Sequence, residues 1–213
     1  SPSLLSADFS KLKEQIDIVK EAGAKRLHID SMDGHFVPNF TFGPLIVQAI
    51  RKLTDLHLET HLMIDNPSTY FDDFINAGSD TLIFHYEASE NIKNDLEYIK
   101  SKGIKCGLAL KPETDYKVLL PYLQILDYIL IMSVSPGFGG QGFIEDSLIK
   151  MKNIILSCEQ AKRRKNIVIG VDGGVNLKTI SRVYKTGIDV TIVGSGLYGS
   201  ENIIKRFKDL ENQ

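Results

Sequence analysis

Short runs of aliphatic and β-branched residues recur along the whole chain, and the stretches between them carry helical periodicity. The runs are PSLLSA, RLHIDSMD, LHLETHLMI, TLIFHYE, KCGLALKP, YILIMSV, IVIGVDGG and VTIVGSG. Parallel strands need long, usually helical, crossovers, and near-continuous apolar strands are covered on both faces. Eight strand-helix units over 213 residues therefore predict an α/β chain closed into a (β/α)8 TIM barrel, not an open doubly wound sheet. The first helical stretch, DFSKLKEQIDIVKEAG, is representative. Its apolar residues fall at 9, 12, 16 and 19, with Asp8 as N-cap and Gly23 as stop.

The length suits one domain, 1–213, without an interdomain linker, and the units repeat in architecture without repeating a residue motif. A formal charge of −2 and a pI near 6.2 give no global attraction for nucleic acid or for an acidic membrane. The one basic run, KRRK at 162–165, reads as a solvated helix end. No window holds 18 uninterrupted apolar residues, and the opening SPSLLSADFSKLKEQ has neither the basic start nor the apolar core of a secretory signal. A cytoplasmic protein is the expectation. Cys106 and Cys158 stand far apart and read as buried or incidental thiols.

A barrel of this type carries its chemistry at the C-terminal mouth, on strand ends and the loops after them. His28, Asp30, His61 and Asp172 fall late in three of the predicted strands. Two imidazoles with two carboxylates make a mixed N/O set suited to Zn, Fe(II), Mn or Co, whereas Mg and Ca prefer oxygen alone. His35, His57 and His85 read as structural. Glycine clusters PGFGGQGF, DGGV and VGSGLYG follow the last three strands. Glycine lets backbone N–H groups approach an anion, and the last two loops are the habitual phosphate site of this fold; a phosphorylated small-molecule substrate is expected. Met32, Met63 and Met132 lie at or near strand ends, where they either line a cavity or pack the top layer of the barrel.

Taken in order, PSLLSADF, HIDSMDGHFVPN, HLM, MSVSPGFGGQGF, VDGGVN and VGSG resemble ribulose-phosphate 3-epimerases over essentially the whole chain. The resemblance implies a barrel of the ribulose-phosphate-binding type that interconverts D-ribulose 5-phosphate and D-xylulose 5-phosphate with one divalent metal ion. It puts the metal ligands on His28, Asp30, His61 and Asp172, and the acid/base pair on Asp30 and Asp172. Substrate contacts map to Ser3, His61, Gly137, Phe138, Gly139, Gly140, Asp172, Gly173, Gly174, Gly194 and Ser195, with Met32, Met63 and Met132 around the reacting carbon. It also implies a homo-oligomer. The chain departs from the usual family pattern at Ser31, Glu59, Ser135 and Gly196, none of them a proposed ligand or acid/base group.

Epimerisation beside a ketone removes a proton and returns one to the opposite face of a planar enediolate, which calls for two acid/base groups. Rival readings are an epimerase for a ketohexose phosphate such as allulose 6-phosphate, a Schiff-base aldolase using Lys111, and a non-catalytic phosphate sensor. The DxKxxD pattern of barrel decarboxylases is broken, because DSMDG carries Met where their Lys would be.

Overall fold

The computed structural model describes residues 1–213. One seven-stranded parallel sheet runs in chain order: β1 (Arg26–Met32), β2 (His57–Met63), β3 (Thr81–His85), β4 (Lys105–Leu110), β5 (Tyr128–Met132), β6 (Val168–Asp172) and β7 (Val190–Ile192). Helices α1 (Leu12–Ala22), α2 (Pro44–Leu53), α3 (Phe71–Asn76), α4 (Ile92–Ser101), α5 (Ser147–Gln160), α6 (Ile180–Tyr184), α7 (Ser195–Tyr198) and α8 (Ile203–Glu211) interleave with the strands or follow them.

The expected eighth strand, PSLLSA, is reduced to a clasp. Pro2 bridges Val193 and Ser3 bridges His28, through Ser3 N–H to Val193 O at 3.1 Å and His28 N–H to Pro2 O at 2.9 Å. The run then leaves the sheet because Leu4–Ser6 coils into a 3₁₀ turn whose N-cap is Ser3. The Ser3 hydroxyl accepts from Leu5 N–H at 3.3 Å, which ends strand geometry there. The barrel is thus nearly closed, with β7 and β1 joined through two residues.

Strand parity divides the side chains into two shells. Ile129 and Ile131 join the large apolar cluster beneath the helices, while Tyr128, Leu130 and Met132 pack inside the barrel with Ile83, Ala109 and Ile192. By the same parity Leu27 and Ile29 of β1 face the helices, leaving His28, Asp30 and Met32 for the interior. Tyr128 fills the lower barrel, and its neighbours make room: a Cβ at Gly170 would lie 2.4 Å from the Tyr128 hydroxyl oxygen.

The helical reading of the first unit is met at its C-terminal end, whereas at the other end Asp8 caps a 3₁₀ turn (Phe9–Lys11) and α1 itself begins at Leu12 with Lys11 as its N-cap. Asp8 accepts from Ser10 N–H at 3.0 Å, and Gly23 takes φ +116° at the C-terminus of α1. The basic run differs from expectation. It lies beyond the end of α5, where Arg164 grips Asp189 at 2.9 and 2.8 Å and Arg163 donates to Leu126 O at 3.2 Å. These are loop ties, not a freely solvated helix end. Both cysteines are buried and free. No helix is long and apolar enough to cross a membrane.

Candidate active site

Register stacks the interior side chains in layers: His28 opposite Glu59, Asp30 opposite His61, and Met32 opposite Met63. Across the barrel Met132 pairs with Asp172. His28 therefore sits mid-strand, below the mouth, and with His61 it is fully buried. An imidazole is tolerated there because other polar groups meet it.

The four groups converge. His28 Nε2 lies 3.3 Å from Asp30 Oδ1 and 4.0 Å from Asp172 Oδ2, while His61 Nδ1 lies 3.1 Å and 3.8 Å from the same two oxygens. One donor atom from each residue falls within 4.8 Å of all the others. Two carboxylates and two ring nitrogens at that spacing, three of the side chains wholly or almost wholly buried, fit a divalent cation: its charge would offset the mutual repulsion and the burial of the carboxylates.

The local fields drive the two carboxylates apart. Burial, reinforced by the Asp30 charge, pushes Asp172 up to about 7. Burial acts the same way on Asp30, but His28 and His61 outweigh it and hold this carboxyl well below the usual range. His28 is disfavoured as a cation by burial, yet Asp30, Glu59 and Asp172 together raise it to about 10. His61 is driven down to about 3, chiefly by burial. The surroundings thus favour the ionised form of Asp30 and the protonated form of Asp172.

Above the cluster opens a cavity of about 220 Å³. Asp30 and Asp172 form part of its wall with Met32, Met63 and Met132, and Ser3, Gly137, Phe138, Gly139, Gly140, Gly173, Gly174, Gly194 and Ser195 also line it. His28 and His61 lie behind this lining, His61 reaching the wall through Asp30. Two loops hold the shape. Gly173 and Gly174 take φ +112° and +66°, and a Cβ on Gly174 would strike the Phe143 backbone at 2.6 Å. Asn39 ties the loop after β1 to the glycine loop after β5, donating to Gly137 O at 2.7 Å.

A family model described as the ribulose-phosphate 3 epimerase family matches residues 1–198. The chain belongs to that family. The ribulose-phosphate 3-epimerase of Bacillus subtilis (strain 168) is 43% identical over 210 residues, covering 99% of this chain and 96% of the relative. That of Synechocystis sp. is 43% identical over 214 residues, covering 100% and 92%. Among solved structures, 3-hexulose-6-phosphate synthase from Salmonella typhimurium superposes with a TM-score of 0.73 at 18% identity, covering 99% of this chain and 95% of that one; this likeness concerns the barrel alone.

For a member of the ribulose-phosphate 3 epimerase family, several neighbours of the site were not legible as such. Ser6, Gln141 and Asn176 also line the cavity; Asn176 closes the VDGGVN motif and Gln141 lies in PGFGGQGF, so their signal was position within a glycine loop. Glu59 is fully buried, paired with Arg26 and 3.6 Å from His28 Nδ1. His85, read as structural, meets His61 Nε2 at 2.9 Å. Of the other two histidines, His57 contacts the Thr81 hydroxyl at 2.8 Å at the start of β2, and His35 braces its own loop through the Asp33 side chain and carbonyl. Lys111, the Schiff-base candidate, places Nζ 4.2 Å from the Phe36 ring centroid and is absent from the cavity wall.

Proposed function

We propose that this chain, acting over residues 1–213 as one catalytic barrel, interconverts D-ribulose 5-phosphate and D-xylulose 5-phosphate by proton transfer through an enediolate. The observation that carries the reading is a pair of carboxylates on one cavity wall whose surroundings push them in opposite directions: against burial, His28 and His61 hold Asp30 down, while burial and the Asp30 charge push Asp172 up to about 7. Such a split is what a base and its partner acid require. Starting from one epimer, Asp30 takes the proton from the carbinol carbon beside the ketone while protonated Asp172 delivers one to the opposite face. Starting from the other, Asp172 is the base and Asp30 the acid.

Each carboxylate arrives from its own strand, β1 or β6, so the substrate plane can lie between them. Ser3 donates its hydroxyl to Asp30 Oδ2 at 2.7 Å, which fixes the carboxylate and favours its ionised form. Met32, Met63 and Met132 supply apolar surface around the reacting carbon, keeping water from quenching the enediolate. The glycine loops, with Gly137 through Gly140, Gly173, Gly174, Gly194 and Ser195, would hold the phosphate and orient the sugar. His28, Asp30, His61 and Asp172 would hold one divalent ion, Zn, Fe(II), Mn or Co. When bound, that ion supplies positive charge where the enediolate oxygen develops its negative charge. The reading includes a cytoplasmic setting and a homo-oligomeric assembly.

The test compares turnover of ribulose 5-phosphate with that of allulose 6-phosphate, on metal-loaded protein, on chelator-stripped protein and after metal is restored. Preference for the pentulose phosphate, lost on stripping and regained on reloading, is the expected result. Faster turnover of the hexulose phosphate would reassign the substrate, and full activity in stripped protein would remove the ion from the reading.

A further inference from the structure

We propose that His85 and Glu87 are positioning residues that decide which ring nitrogen of His61 carries its proton, keeping His61 Nδ1 free as a donor to the metal. The inference rests on His61 being a metal ligand.

The geometry is a chain of three contacts. His61 Nδ1 faces Asp30 and His28 at 3.1 and 3.4 Å. Its other nitrogen, Nε2, meets His85 Nε2 at 2.9 Å, a separation with room for one proton between them. His85 Nδ1 meets Glu87 Oε2 at 3.2 Å. A carboxylate only accepts, so His85 Nδ1 must be its N–H. His85 Nε2 is then a lone pair, His61 Nε2 carries the proton, and His61 Nδ1 is left as a lone pair turned toward the ligand cluster.

Glu87 is anchored for this task. Its Oε1 accepts from Lys111 N–H at 2.9 Å and from the Thr114 hydroxyl, leaving Oε2 for His85. Both imidazoles are fully buried, so no bulk water can substitute for a missing partner. The ring centroids of His61 and His85 lie 5.0 Å apart, the separation of an edge-to-edge N–H···N contact, and Phe36 holds His85 from the side, its centroid 4.8 Å away. A counter-pull exists, because Asp30 Oδ1 could draw the His61 proton to Nδ1 and block metal binding. The Glu87 end of the chain opposes that pull. His28 has a looser arrangement, its Nδ1 lying 3.6 Å from Glu59 Oε2 without a hydrogen-bond partner.

Glu87→Gln is a near-isosteric probe. The amide oxygen keeps Lys111 and Thr114, which turns the NH2 toward His85 Nδ1. Every donor along the chain then reverses, and His61 Nδ1 gains the proton. Thr114→Val is the control, since it loosens the same carboxylate without touching the His85 contact. The experiment titrates Zn2+ alone into the metal-free full-length chain and records ¹⁵N-histidine spectra that locate each ring N–H.

Glu87→Gln is expected to weaken Zn2+ binding about 10- to 100-fold and Thr114→Val to leave it unchanged. Zn2+-loaded wild type should carry its protons on His61 Nε2 and His85 Nδ1. Unchanged affinity in Glu87→Gln, an equal loss in Thr114→Val, or a proton on His85 Nε2 in loaded wild type would each overturn the relay. The wild-type spectra decide the matter even if Glu87→Gln does not fold. Should wild type bind no Zn2+, the metal-free spectra decide: a proton on His61 Nε2 supports the relay and condemns only the ligand reading, and one on His61 Nδ1 overturns the relay.

Discussion

Asp172 shows how one residue's environment sets both stability and chemistry. Its carboxyl ordinarily titrates at 3.8 and in the fold at about 7, so the folded state binds its proton more tightly than the unfolded chain does. The sign follows: stability from this group is fully present below about 4, falls as pH rises through about 7, and then levels off. With the side chain 16% exposed and coupled to Asp30, the cost at high pH is ~1–3 kcal/mol. Metal-free Asp172→Asn should therefore be more stable than metal-free wild type at pH 8, with the gap closing toward pH 4. Urea denaturation across that range checks it, and a gap independent of pH would contradict the assignment. At this scale the sequence was informative where function follows chain spacing. His28 and Asp30, two apart on a strand, had to share a face. Glu59, His85 and Glu87 were not legible as partners, because their roles depend on register between strands and on which ring nitrogens meet across it, neither of which spacing along the chain encodes.

The strands illustrate the same boundary between local pattern and cross-strand packing. Seven of the eight β-rich runs form strands because branched apolar residues fit a pleated sheet covered on both faces. The first run had the right composition but not the right continuation, since the Ser3 cap turns the backbone away after two bridged residues. Nothing along the chain accounts for the glycine at 170; the neighbouring β5 does, through the Tyr128 ring that occupies the missing side chain's place. Gly170→Ala must shift that ring in a filled barrel. The expected cost is ~1–3 kcal/mol, measurable as a lower denaturation midpoint with an unchanged m-value. Wild-type stability in this variant would mean that the lower barrel is looser than its packing indicates.

For the whole molecule, closure of the barrel is what brings distant residues into one site. Ser3, Asp30 and Asp172 come from the clasp, β1 and β6, yet they share a cavity, and the clasp that joins β7 to β1 also delivers the Ser3 hydroxyl to Asp30. The barrel and its mouth were legible from the alternation of runs; the depth of the imidazoles below that mouth was not. The central claim is that two carboxylates act on opposite faces of one enediolate. The most direct test follows deuterium uptake at the carbinol carbon in heavy water, in metal-loaded wild type and in Asp172→Asn, starting from each epimer separately. Wild type should exchange and interconvert both sugars. Asp172→Asn should lose interconversion while still exchanging deuterium into the one epimer whose proton Asp30 removes. Near-normal interconversion in that variant, or equal exchange into both epimers, would contradict the two-carboxylate account.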